Sequence, residues 1–295
     1  MEPWAARIVV GIGIAAGCEP HDVGAADVGA ADAGDADTDI DSDADTDSDA
    51  DTDTDTDTDT DTDGDTDGVV DCAALTDTPT VTQVNGRGYH GLAFDRAGHV
   101  FGSDTVSLLS TAWDGGFTVV TPDRGPIAGI DWLPDGDLVV AADHPTRISP
   151  TTGAVTVLNT SIFAYDVVVG RDGLVYLATN STVQRVDPTT GASTAVAADL
   201  PFWPRVLDFA PDWRRMYLGT FFAAYRSDPG KVYALDLDAD LNVVGEPVVY
   251  ATGVGTGEYH DGLRVDACGN LYVLDYDAYA LYRITPDGVT HLLVQ

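Results

Sequence analysis

The chain has 295 residues, with 14 Lys and Arg against 49 Asp and Glu and a formal charge of -35. So acidic a chain does not neutralise phosphate backbones, which excludes nucleic acid as a partner, and an anionic membrane surface repels it. The charge is uneven: residues 1–77 hold 24 acids against the single base Arg7, while residues 78–295 hold 25 acids against 13 bases. The second segment is long enough for one sizeable core but not for several domains.

The chain opens with an address. Ile8 to Gly17 reads IVVGIGIAAG, ten apolar or small residues closed by Cys18. That is short of the roughly 20 residues of a spanning helix, and it has the length of a signal-peptide core. Ala15-Ala16-Gly17-Cys18 resembles the bacterial lipobox, where small residues fit the signal peptidase and the cysteine thiol is lipidated. The resemblance implies that residues 1–17 are a cleaved lipoprotein signal peptide and that Cys18 carries the lipid. Glu2 beside Arg7 leaves the leading segment with little positive charge. Glu19 follows the cysteine, which by the same resemblance implies an outer-membrane lipoprotein of the bacterial envelope, periplasmic or surface-exposed. The membrane is then met through the lipid anchor alone.

Residues 18–77 read as a disordered, low-complexity tether. Every odd position from Asp35 to Asp67 is Asp, 17 in succession, with mostly Thr, Ser and Ala between. Nothing there can be buried to offset the entropy of ordering, and like charges two residues apart stretch the chain. Asp59-Thr60-Asp61-Thr62-Asp63-Gly64 matches the opening of a calcium loop, but its twelfth position is Val70 rather than the bidentate Glu such a loop needs. The composition reads as a spacer first.

Residues 78–295 repeat about every 37–40 positions. Each unit begins with an apolar strand, an Asp/Gly turn and a second apolar strand. The pattern runs through Gly91–Phe101, Gly129–Val140, Val167–Leu177, Val206–Leu218 and Gly262–Val273. Two shorter strands follow, split by turns such as Pro150-Thr151-Thr152-Gly153 and Pro286-Asp287-Gly288. These turn residues supply the positive or pre-set φ that tight hairpins require. No segment carries a helical period or helix caps. The predicted fold is all-β: a β-propeller of four-stranded antiparallel blades over 78–295. Five blades are readable. Thr80–Val84 looks like an additional outer strand, so six is the alternative. With Cys18 taken by lipid, Cys72 and Cys268 remain as an even pair in an oxidising compartment. A strand at 80–84 beside the last blade would put both on one face, so a Cys72–Cys268 disulfide is expected.

In a propeller the start of each innermost strand points at the mouth of the central channel. Aligned on their glycines, the five units place His90, Ala128, Tyr165, Arg205 and Asp261 there, with Glu258 and His260 just before the last. A cation, an anion, an imidazole and a phenol on one axis form a candidate binding site. Arg205 and Asp261 are also readable as a structural ion pair across the channel, and Asp104, Asp143 and Asp275 as turn formers.

His260-Asp261-Gly262-Leu263, followed by Gly269-Asn270-Leu271-Tyr272-Val273, resembles the P-D-G-x-x-x-D-x-x-G-x-L-Y-V-A motif of the gluconolactonase family. That family is also called regucalcin-like or senescence-marker type; strictosidine-synthase-like propellers share the motif. The resemblance implies one divalent metal, calcium or zinc, in the channel. Asp261 matches the family's metal-binding Asp, the family's Glu position falls on His90, and its Asn position falls on Arg205. Two functions follow as expectations. One is a monomeric binding module taking a small molecule or protein at the channel face through His90, Tyr165, Glu258 and His260. The other is a metal-dependent hydrolase of lactone-like esters, with Asp261 and Arg205 catalytic and Asp261 and His90 on the metal.

Overall fold

The computed structural model describes residues 72, 90–95, 99–104, 107–112, 114–122, 127–220, 230–255 and 259–295, with the backbone alone at His90. Cys18 and the signal-like segment, the acidic stretch, the strand expected at 80–84 and Glu258 lie outside the described residues.

Among the described residues, twenty strands form five separate antiparallel sheets, each built from four strands consecutive in sequence. The first blade is β1 (His90–Phe94), β2 (Val100–Ser103), β3 (Leu108–Thr111) and β4 (Phe117–Thr121). The second is β5 (Gly129–Trp132), β6 (Leu138–Ala141), β7 (Thr146–Ile148) and β8 (Val155–Val157). The third is β9 (Asp166–Val169), β10 (Val175–Ala178), β11 (Val183–Val186) and β12 (Ser193–Ala197). The fourth is β13 (Pro204–Phe209), β14 (Arg215–Thr220), β15 (Val232–Leu237) and β16 (Val243–Ala251). The fifth is β17 (His260–Val265), β18 (Leu271–Asp275), β19 (Ala280–Ile284) and β20 (Thr290–Val294). This is the five-bladed propeller legible in the repeats.

The turn chemistry explains why the units fold alike. In the first hairpin of four blades one Asp accepts from the backbone N–H two residues on: Asp135 from Asp137, Asp172 from Leu174, Asp212 from Arg214 and Asp266 from Cys268. Such a side chain imitates a backbone turn and fixes the hairpin locally. Glycine then takes the positive φ, as at Gly136 (88°) and Gly173 (74°). The fourth unit has no glycine in that slot, and Trp213 adopts φ 59° instead. Its ring is held 4.8 Å from Phe209, which offsets the backbone strain. Asp104 and Asp275 also act in turns, accepting from Ser107 and Ala278.

The core lies between blades rather than within them. Ile130 and Leu138 pack against Phe101 and Leu108 of the first blade. Val167 and Leu177 meet Val139 of the second. Tyr176 meets Phe209 and Met216 of the fourth, and Val206 and Tyr217 meet Leu263 and Val273 of the fifth. Apolar clusters join each blade to the next from the first to the fifth, so the apolar faces of isolated sheets find cover only when the blades stack. The innermost strands β1, β5, β9, β13 and β17 follow one another in space in that order. The expected Cys72–Cys268 disulfide is present, with a Cα separation of 5.6 Å. It ties the segment ahead of the first blade to the first turn of the last.

Candidate functional site

Two of the inner strands begin with a bulge that carries a charged side chain. In β13, Pro204 and Val206 pair with the adjacent residues Thr220 and Gly219, so Arg205 is extra. In β17, His260 and Gly262 pair with Asp275 and Leu274, so Asp261 is extra. A bulged residue leaves the ladder, and its side chain is re-aimed. The first blade has the same shift at Gly91, which offers no side chain. Local strand irregularity therefore brings Arg205 and Asp261 face to face.

Arg205 Nη2 donates to Asp261 Oδ1 at 3.0 Å and to Tyr259 Oη at 2.7 Å. The two charged side chains keep only 9% and 11% of their surface exposed. The guanidinium carbon sits 4.9 Å from the Tyr259 ring centre and 5.1 Å from that of Tyr165, close enough for cation–π attraction from both. Tyr165 Oη in turn donates to Asn180 Oδ1 at 2.8 Å. Tyr165, Arg205 and Asp261 thus converge as their sequence positions suggest. Tyr259, one residue past Glu258, joins them and escapes the sequence reading; only its neighbourhood to Asp261 marks it.

His260 goes elsewhere. It is fully buried between the fourth and fifth blades. The Thr220 N–H donates to its Nδ1 at 3.2 Å, and its Nε2 meets the Val254 carbonyl at 3.1 Å. A backbone N–H can only donate and a carbonyl can only accept, so the ring is the neutral Nε2–H tautomer. Burial holds its pKa below the usual imidazole value. Gly219 makes room for it: a Cβ there would lie 3.1 Å from the ring. His260 is a bolt between blades rather than part of the Arg205 group.

Further along the inner strands lies a second charged group, a collar of Asp131, Asp166, Asp208 and Arg264. Each carboxylate spans two neighbouring blades. Asp131 accepts from Trp132 on its own strand and from Val169 on the next at 2.7 Å. Asp166 accepts from Val167 and from Leu207 at 3.1 Å. Asp208 accepts from Phe209 and from Val265 at 2.8 Å. Arg264 reaches across to the Ile130 carbonyl at 3.3 Å and stands 3.7 Å from Asp166. Its side chain retains 43% exposure, against 5% for Asp166. Burial pushes the Asp166 and Asp208 carboxyls up to about 6, against the pull of Arg264 and of the N–H donors, and it raises Asp131 as well. Asp131, Asp208 and Arg264 occupy one aligned position of three repeat units. That alignment is the signal the sequence offers, since a charge recurring in an inner strand has to be matched by partners.

The metal expectation meets a mismatch in the donor set. Among the described residues no three His, Cys, Asp or Glu side chains converge to hold an ion. The Asp261 carboxylate faces a guanidinium, and a divalent cation beside Arg205 would be repelled. The described residues do not fit the metal. The His90 side chain and Glu258 lie outside the described residues.

No protein-family model matches the chain, and no curated protein does. Solved structures do. The chain is similar to regucalcin from Agrobacterium tumefaciens, a calcium-binding protein, at 19% identity with a TM-score of 0.56, covering 68% of this chain and 72% of that one. It is similar to a gluconolactonase from Xanthomonas campestris at 17% identity with a TM-score of 0.58, covering 70% and 75%. An auxiliary nutrient-binding protein from Bacteroides thetaiotaomicron matches at 13% identity with a TM-score of 0.56, covering 70% and 56%. At these identities the likeness is one of fold.

Proposed function

We propose that the chain captures a neutral, polyhydroxylated ring compound, of the sugar or sugar-lactone class, at the mouth of its channel. The observation that carries this reading is the Arg205–Asp261 pair set between the faces of Tyr165 and Tyr259. The pair is neutral as a whole, so it does not select an anion. It offers N–H donors and a carboxylate acceptor side by side, which matches neighbouring hydroxyls of a sugar ring. The tyrosine faces suit the C–H surface of such a ring. The formal charge of -35 works against anionic ligands in the same direction.

A second reading is hydrolysis of the lactone, which the likeness in fold to a gluconolactonase favours. Here Arg205 holds the carbonyl oxygen on which negative charge develops, and Asp261 keeps the guanidinium in place. Calorimetric titration of the full chain with glucono-1,5-lactone and with glucose tests capture; acid release from the lactone, with and without added calcium or zinc, tests turnover. Binding without acid release supports capture, and acid release abolished in Asp261→Asn supports hydrolysis. Neither heat nor acid release in any combination overturns both.

A lipidated Cys18 and a stretch of 17 alternating aspartates would present the propeller away from an envelope membrane. Partition of the Cys18→Ser variant into detergent as completely as the parent chain would overturn that part.

A further inference from the structure

The Arg205 group does not end at Tyr259. The Tyr276 ring lies 5.1 Å from Tyr259, and the Tyr279 ring lies 6.2 Å from Tyr276. On the other side Phe163 packs edge-on against Tyr165 at 5.2 Å. The series Phe163, Tyr165, Arg205, Tyr259, Tyr276, Tyr279 is thus contiguous, with steps of 4.9 to 6.2 Å. Its ends are open: Phe163 is 52% exposed and Tyr279 is 74% exposed. Tyr279 also holds a positive φ of 51°, a conformation that a bulky side chain adopts at a cost. An exposed aromatic in a strained turn adds little to the core. What the turn does achieve is to set a phenol face beside Tyr276.

We propose that this aromatic series is a platform for a neutral oligosaccharide, with one ring held at Arg205 and Asp261 and further rings lying along Tyr259, Tyr276 and Tyr279. The inference rests on the ring-compound reading above and extends it to chain length. Each step between platform groups is of the order of one sugar ring. Aromatic faces bind the C–H faces of sugars without needing charge, and Tyr259, Tyr276 and Tyr279, tilted 52° and 36° from one to the next, give each added ring its own contact on a turning surface. Asp277 stands on the same turn and Asp261 at the inner end, which disfavours uronic or sulfated chains.

The test uses the full chain and cello-, malto- and chito-oligosaccharides of increasing length from the single sugar upward, titrated by calorimetry. In at least one series affinity rises by about three- to tenfold per added ring over the first steps, the scale of one aromatic contact. Tyr279→Ala loses the gain with length and leaves single-sugar binding unchanged. Tyr279→Gly, which relieves the positive φ, loses the same gain while thermal stability is kept or raised; this separates a binding role from a structural one. If single rings bind and no series shows a length effect, or if the effect survives in both Tyr279 variants, the platform is overturned while the Arg205 site stands. If no ring compound of any length binds, the platform and the reading beneath it fall together.

Discussion

At the start of the inner strands, the proposed mouth of the channel, Arg205 meets Asp261, and further along the same strands Arg264 meets Asp131, Asp166 and Asp208. The residue types are the same, but the employment of the carboxylates differs. In the collar each carboxylate is spent on backbone N–H groups, one from its own strand and one from the next blade. The N–H groups of successive blades need those oxygens. At the mouth the carboxylate is placed by a bulge and engages a guanidinium framed by aromatic rings. A charge that satisfies the backbone belongs to the fold, whereas a charge that satisfies another side chain can be exchanged with it. The collar is accordingly read as a seam between the second to fifth blades, and the Arg205 pair as the proposed site.

The disulfide sets the scale for closure. It joins residues 196 apart in sequence. Cys72→Ser removes a cross-link whose loop-closure contribution reaches up to about 5 kcal/mol. Thermal unfolding under non-reducing conditions should show a larger fall than the loss of any one collar carboxylate or of the mouth pair. An unchanged Tm would mean that the packing between blades and the collar hold the propeller without the cross-link.

Asp166→Ala comes next. It strips the acceptor from Val167 and Leu207 in a region where Asp166 is 3% exposed. Two buried donors left without partners cost on the order of 3 kcal/mol. Asp166→Asn keeps an acceptor oxygen and should recover much of the loss. Gly129 belongs to the same arrangement, since a Cβ there would stand 2.1 Å from the Asp166 carboxylate. Equal losses in Asp166→Ala and Asp166→Asn would show that the collar acts through bulk rather than through its hydrogen bonds.

The collar also gives a pH dependence of unusual sign. The Asp166 and Asp208 carboxyls titrate near about 6 in the folded chain, above the ~3.9 of an unfolded aspartate. Between these values the folded state binds more protons than the unfolded one. Their stabilising contribution is complete below the unfolded value and is lost as pH rises through about 6. Acidification from pH 7 to pH 5 should therefore raise the Tm by a few degrees, at about 2–4 °C per kcal/mol for a domain of this size. Scanning Tm against pH checks it, and Asp166→Asn should flatten the profile. A Tm that falls steadily over this range would mean the collar carboxylates are stabilised in their charged form.

Much of this architecture is open to sequence reasoning. The Asp/Gly turns recur because such hairpins need a positive φ and a side-chain acceptor, and that chemistry marks the blades one by one. Trp213 shows the limit of such reading, since a bulky residue holds the glycine slot only because Phe209 packs on its ring. The convergence of Tyr165, Arg205 and Asp261 follows from aligning the units. The bulges at Arg205 and Asp261 do not, because an extra residue in a short strand leaves no mark on an alternation of four or five positions. Chain order groups His260 with the site for the same reason. The bulge sends Asp261 toward Arg205 and leaves His260 in the ladder, turned between blades where two backbone groups occupy it.

The smallest effect on stability, and the sharpest division between the two regions, comes from replacing both members of the mouth pair. Arg205→Met alone leaves a carboxylate with 11% exposure facing a lost partner and should destabilise the chain. Arg205→Met together with Asp261→Asn removes both charges and their desolvation cost. Exchange of a buried pair for uncharged side chains of similar volume is commonly near neutral, so the double variant should lie within about 1 kcal/mol of the parent. Ring-compound binding should be lost in it altogether. The comparable exchange in the collar, Asp166→Leu with Arg264→Met, has no such escape, because Val167 and Leu207 still need an acceptor that leucine cannot supply. Measured by denaturant unfolding, a double variant at the mouth as damaged as the double variant in the collar would erase the distinction between a site and a seam.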